Sequence, residues 1–153
     1  MTFRLRDHTA DVAVEAEAES LSGVFAAVAD GLTAAMCDDV PPPADDDESV
    51  TFTVEAESRE ALLFDYLDQL IYERDVRGVL PADNEAVVSE PEPESAPESG
   101  DGGEAEPVWR VDGRARGIPF DRVDARDVKA VTYSEMRLEP GADGWVAYVV
   151  FDV

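Results

Sequence analysis

The residues with the most obvious chemical potential sit near the start of the chain, in Asp7-His8-Thr9-Ala10-Asp11. Asp and Thr side chains of this kind bond nearby backbone amides in turns, so one reading is a turn locked by its own side chains, with His8 as a neighbour. The other reading is that Asp11 reaches a hard cation. Calcium or magnesium takes several oxygens, drawn from more than one segment of chain. The end of the sequence offers a second segment, Phe151-Asp152-Val153, directly after an apolar strand pattern. If that strand lies beside the opening turn, Asp11, Asp152 and the Val153 carboxylate could converge, but strand order is not readable from sequence. A third candidate is Lys129, the one lysine beside eleven arginines. A compact ammonium could pair with carboxylates or reach a phosphate; a chance surface lysine is the alternative.

Other chemistries lack their residues. There is no phosphate-cradling glycine loop, no pair of metal-binding histidines and no nucleophile elbow. His8 is the only histidine, and nothing nominates a serine to partner it in a relay. No catalytic residue is therefore assigned. Cys37 is the only cysteine, which excludes an internal disulfide and a thiolate cage; it reads as a small residue at a helix end.

Charge is the dominant compositional feature, with 36 acidic residues against 12 basic and a formal net charge of −24. Such a surface repels phosphate backbones and argues against direct nucleic-acid binding. High Asp and Glu with one Lys also resembles the proteins of extreme halophiles, whose carboxylates hold water while salt screens their repulsion. That explains most of the acidity without a functional role. No apolar run is long enough for a membrane helix, and the start has no apolar signal-peptide centre, so a cytoplasmic protein with no membrane partner is expected.

The elements that must position these residues follow from the hydrophobic pattern. Strands are expected at 2–6 and 12–18, flanking the polar turn 7–11. Ser20 caps a helix whose apolar positions Leu21, Val24, Phe25, Val28 and Leu32 carry it to about Met36. A Pro-rich acidic loop at 38–47 precedes an alternating strand at 49–57. Ser58 caps a second helix over about 59–76, stopped by Gly78. Short strands at 79–80 and 85–89 come next. Residues 89–107 form a low-complexity insert with seven carboxylates and no large apolar side chain, expected to be disordered. Strands at 108–116, 128–138 and 145–152, the last two a hairpin, complete the pattern around a polar connection at 117–127. The expectation is one α/β domain of the α+β type over 1–153: two helices on one side of a mostly antiparallel or mixed sheet of about six or seven strands.

Four segments, in order, resemble the archease family. They are Asp7-His8-Thr9-Ala10-Asp11-Val12, Leu62-Leu63-Phe64-Asp65-Tyr66-Leu67-Asp68-Gln69-Leu70, Lys129-Ala130-Val131-Thr132-Tyr133, and the ending from Gly144-Trp145 to Phe151-Asp152-Val153. The resemblance implies a non-enzymatic helper of the RtcB-type RNA ligase, which joins tRNA exon halves and is guanylylated on a histidine using GTP and metal. It further implies a divalent cation, calcium first and magnesium or manganese next, held by Asp11, Asp152 and Val153. It implicates Lys129 as a functional contact, with Asp7 and His8 beside the site. Ser134 stands where many relatives carry His, so this chain supplies no imidazole at that position. The alternative is a general chaperone or modulator of RNA-processing enzymes whose cation is structural.

Overall fold

The computed structural model describes residues 2–8, 11–45, 47–91 and 108–153, with side chains for all of these except 2, 4–8, 11 and 134. The insert expected at 89–107 lies outside the described residues from position 92 onward.

Among the described residues, seven strands and two helices form in the order β1 (Thr2–His8), β2 (Asp11–Ala18), α1 (Leu21–Met36), β3 (Glu48–Ala56), α2 (Arg59–Arg77), β4 (Val79–Ser89), β5 (Trp109–Pro119), β6 (Ala130–Gly141) and β7 (Gly144–Asp152). A 3-10 turn, Phe120–Arg122, leads out of β5. The expected fold class is what forms, with one difference of arrangement. The strands make two sheets rather than one, ordered β1-β2-β7-β6 and β3-β5-β4, and every pairing is antiparallel. Both helices touch both sheets.

That arrangement explains the composition of α1. Val24, Phe25, Ala26, Ala27, Val28, Ala29 and Leu32 are all buried, because α1 packs on β2 of one sheet and β4 of the other. A helix covered on opposite sides needs small residues around its circumference rather than one apolar stripe. Ser20 caps it as expected, its hydroxyl accepting the Gly23 N–H at 2.9 Å. Cys37 closes the other end, buried, with its N–H donating to the Thr33 carbonyl. In α2 one face stays wet: Leu63, Tyr66, Leu67 and Leu70 are buried while Asp65, Asp68, Tyr72 and Val76 are exposed. Ser58 accepts the Ala61 N–H, and Gly78 ends the helix in the left-handed region at φ 66°. Tyr66 lies between Phe25 and Phe52, at ring-centroid distances of 5.6 and 5.8 Å, and so ties α1, α2 and β3 together.

Several boundaries differ from expectation. The polar turn at 7–11 is shorter, since Asp7 and His8 belong to β1 and Asp11 opens β2. The two short strands at 79–80 and 85–89 are one strand, β4, interrupted by a register shift between Ala82 and Glu85. Asp83 takes a φ of 52° there, and polar residues at such a bulge read as a loop in a sequence pattern.

Candidate functional site

Antiparallel register fixes what meets at one end of the four-stranded sheet. His8 pairs with Asp11 across β1 and β2. Asp11 pairs with Asp152 across β2 and β7, and Asp152 pairs with Ala130 across β7 and β6. The row His8, Asp11, Asp152, Ala130 therefore crosses all four strands. Directly opposed residues of antiparallel strands have Cα atoms about 4.5–5.5 Å apart, the closest approach a sheet allows. Asp7 precedes the row in β1, Val153 follows it after β7, and Lys129 precedes it before β6. All six residues singled out in the sequence thus lie at one end of one sheet, by backbone placement.

Asp152 and Val153 are exposed, as is Lys129. The Lys129 N–H donates to the Asp152 carbonyl at 2.8 Å, extending the β6 and β7 ladder by one bond toward the tip. No described side chain forms an ion pair with Lys129. Among the described residues no group of three or more His, Cys, Asp or Glu side chains is gathered to hold a metal. As residue types, Asp11, Asp152 and Val153 offer only oxygen donors, the chemistry a hard divalent ion takes and a thiolate-seeking one does not.

The segment leading into Lys129 reads in the sequence as a plain polar connection, and it is more than that. Arg126 closes the C-terminus of α1, which carries no basic residue in its own last turn. Its backbone N–H donates to the Met36 carbonyl at 2.6 Å, and its guanidinium reaches the Ala35 carbonyl at 3.2 Å and the Asp38 carboxylate at 3.0 Å. A cation at the negative end of a helix is favourably placed. The hydrogen-bonded Arg126 guanidinium holds the Asp38 carboxyl below the usual carboxylate range. Next, Asp127 meets Arg74 at 3.1 Å, Val128 is fully buried, and Lys129 bonds Asp152. Arg74 is itself buried in the last turn of α2, between Asp75 and the Met36 sulfur. Sequence spacing carries no sign of these contacts, because Asp124-Ala125-Arg126-Asp127 looks like any acidic surface loop.

β6 supplies a second feature. Its register with β7 shifts between Thr132 and Arg137, and Glu135 takes a φ of 62°. Tyr133, at the start of this bulge, stacks on Phe64 of α2 with ring planes 4° apart and centroids at 4.2 Å. Partial burial raises the Tyr133 pKa, with Asp65 and Glu57 adding to the shift. Two of the segments that resemble the family's motifs, one in α2 and one in β6, are thereby packed together. Among the described residues no helix is long and apolar enough to cross a membrane.

Comparison with known proteins agrees with this organisation. A model of the archease protein family matches residues 3–153. The archease of Thermococcus gammatolerans is 31% identical over 153 residues, covering 96% of this chain and 95% of its own. That of Archaeoglobus fulgidus is 30% identical over 154 residues and covers 100% of both. The fold is shared with the solution structure of a Methanobacterium thermoautotrophicum protein, at a TM-score of 0.73 and 24% identity over 99% of this chain and 98% of that one. It is shared also with the crystal structure of an archease from Thermotoga maritima described as a possible chaperone, at a TM-score of 0.57 and 21% identity over 98% and 96%. The chain belongs to the archease family.

Proposed function

We propose that this protein activates an RtcB-type RNA ligase by presenting a divalent cation, calcium first, at the sheet end formed by Asp11, Asp152 and Val153. The observation that carries the reading is the backbone row that sets Asp11 opposite Asp152, with Lys129 bonded to Asp152 from the other side. Calcium takes about six to eight oxygens. Two carboxylates and one further oxygen leave positions for water or for a donor from the partner. Bound there, the ion supplies a concentrated positive charge that attracts phosphate and carboxylate oxygens. Asp11 and Asp152 hold it, and Lys129 adds a second cation at the same tip. An acidic body repels RNA, so the tip meets the ligase rather than its substrate. Stimulation follows if the tip binds the nucleotide-accepting conformation of the ligase better than the resting one. The protein is a helper and not an enzyme in this account, and it works in a cytoplasm of high salt.

The test is ligase guanylylation with GTP in concentrated potassium chloride, comparing wild type with Asp11→Ala and Asp152→Ala. Loss of stimulation in both variants is expected; full stimulation by both contradicts the proposal. A second reading, a general chaperone with a structural cation, draws on the description given to the Thermotoga protein and on the exposed Tyr72 and Val76, one turn apart on α2. Affinity capture separates the two, one dominant ligase favouring activation and many clients favouring the chaperone.

A further inference from the structure

We infer that residues 126–129 form a tether that fixes Lys129 beside Asp152, with Arg126 and Asp127 as its positioning residues and Arg74 as its buried anchor. This rests on the reading of the tip given above.

Four consecutive residues are held by four different parts of the fold. Arg126 is bonded to the last carbonyls of α1 through both its backbone and its guanidinium. Asp127 is held by Arg74 of α2, whose side chain is only 6% exposed and so keeps a fixed direction. Val128 is fully buried in the core. The Lys129 N–H is bonded to the Asp152 carbonyl.

Irregular connections are ordinarily the mobile part of a domain. This one is pinned at each step where it approaches the tip. Its two ionic attachments go to the C-terminal ends of the two helices, which meet where Arg74 donates to the Met36 sulfur at 3.3 Å. Lys129 needs such support, because no described side chain pairs with it and its side chain is long and flexible. The fold places its backbone, and among the described side chains none engages its ammonium. A docking cation displaced by about 1 Å loses much of its effect. Arg126 and Asp127 are thus expected to act through Lys129 rather than by touching the partner.

The experiment compares Lys129→Ala, the double variant Arg126→Ala/Asp127→Ala, and the triple variant combining all three. Ligase guanylylation with GTP, terbium luminescence as the probe of the Asp11 and Asp152 tip, and hydrogen exchange at the Lys129 amide are measured for each. The double variant should lower stimulation at least about fivefold. It should speed exchange at the Lys129 amide at least about tenfold. Terbium affinity should stay within about twofold of wild type, and the triple variant should be no worse than Lys129→Ala, since a tether has nothing left to position. Asp127→Ala alone, which removes a carboxylate that is 71% exposed, replaces the double variant if that does not fold. Unchanged stimulation or unchanged exchange in the tether variant overturns the inference. So does a further loss in the triple variant, or terbium affinity that falls in step, since the segment would then merely support the sheet. Retained stimulation by Asp11→Ala and Asp152→Ala, with faster Lys129 exchange in the tether variant, instead places the failure in the proposed function.

Discussion

Three glycines separate the two costs of adding a Cβ, and they make the sharpest prediction about the fold. Gly78, after α2, has a φ of 66° with nothing within 4 Å of where an added methyl would sit, so Gly78→Ala is strained but meets no neighbour. A left-handed L-residue costs about 1–2 kcal/mol. Gly113, in the middle of β5, needs no unusual φ, but a Cβ there would lie 2.6 Å from Phe52 Cζ and 3.0 Å from Tyr66 Cε1. Overpacking of this kind costs about 1–3 kcal/mol. Gly144 opens β7 and combines both problems. Its φ is 151°, and a Cβ would overlap the Ala18 carbonyl oxygen and lie 2.7 Å from Glu19 Cα. Those atoms are backbone and cannot swing aside as a ring can. Gly144→Ala should therefore cost roughly 2–5 kcal/mol, the sum of the two effects. At about 2–4 °C per kcal/mol for a chain of this size, the melting temperature should fall by roughly 4–20 °C. Urea unfolding of the three alanine variants in the same salt measures the differences through the midpoint at constant slope. A Gly144→Ala variant within about 1 kcal/mol of wild type, or one less damaged than Gly78→Ala, refutes the reasoning. The position matters for function because β7 runs from Gly144, packed against Ala18 at one end of β2, to Asp152, opposite Asp11 at the other.

Three further outcomes are expected. Thr33→Val removes a buried hydroxyl that donates to the Pro81 carbonyl at 2.7 Å and accepts from Asn84 at 3.1 Å; it should cost about 1–3 kcal/mol in urea unfolding, because the Pro81 carbonyl loses this donor and the Asn84 amide loses one of its two acceptors. Burial raises the Asp30 pKa above its ordinary 3.8, outweighing the two Asn84 hydrogen bonds, with Asp83 adding like charge. Its contribution is thus fullest below that value and is lost as pH rises through the folded pKa, so Asp30→Asn, which keeps an acceptor for Asn84, should gain stability over wild type on going from acid to neutral pH. Asp47 shifts the other way: the Ala44 N–H is the largest cause, burial opposes it, and Arg116 and Arg122 add to the lowering. Its stabilisation is present above 3.8 and lost as pH falls through the lower folded value, so Asp47→Asn should be less stable than wild type at pH 7, with the gap closing in acid thermal melts.

The sequence was most legible where a single periodicity ruled. Both helices and their serine caps follow from apolar spacing and from Ser20 and Ser58, since each signal is local. The division of strands into two sheets was not legible, because alternation in Ser49 to Ala56 or in β7 tells which side is apolar and not which strand lies next door. The bulge at Ala82/Glu85 broke the period of two, and so one strand looked like two short ones, whereas β6 reads as one strand despite its shift between Thr132 and Arg137. At the tip, Asp11 and Asp152 could be nominated by residue type, but their pairing is separated by nearly the whole chain and is fixed only by the β2 and β7 register. Arg74, Arg126 and Asp127 were invisible for a different reason. In a chain with 36 acidic residues and 12 basic ones, an ion pair leaves no mark in composition, and only the burial of Arg74 distinguishes it.

The central claim is that the row crossing the four-stranded sheet holds a hard cation. A crystal structure grown with calcium tests it most directly. The account predicts an ion about 2.3–2.6 Å from oxygens of both Asp11 and Asp152, with Val153 beside it and water completing the shell. Calcium bound elsewhere, or a calcium-saturated crystal with Asp11 and Asp152 both ligand-free, would contradict it.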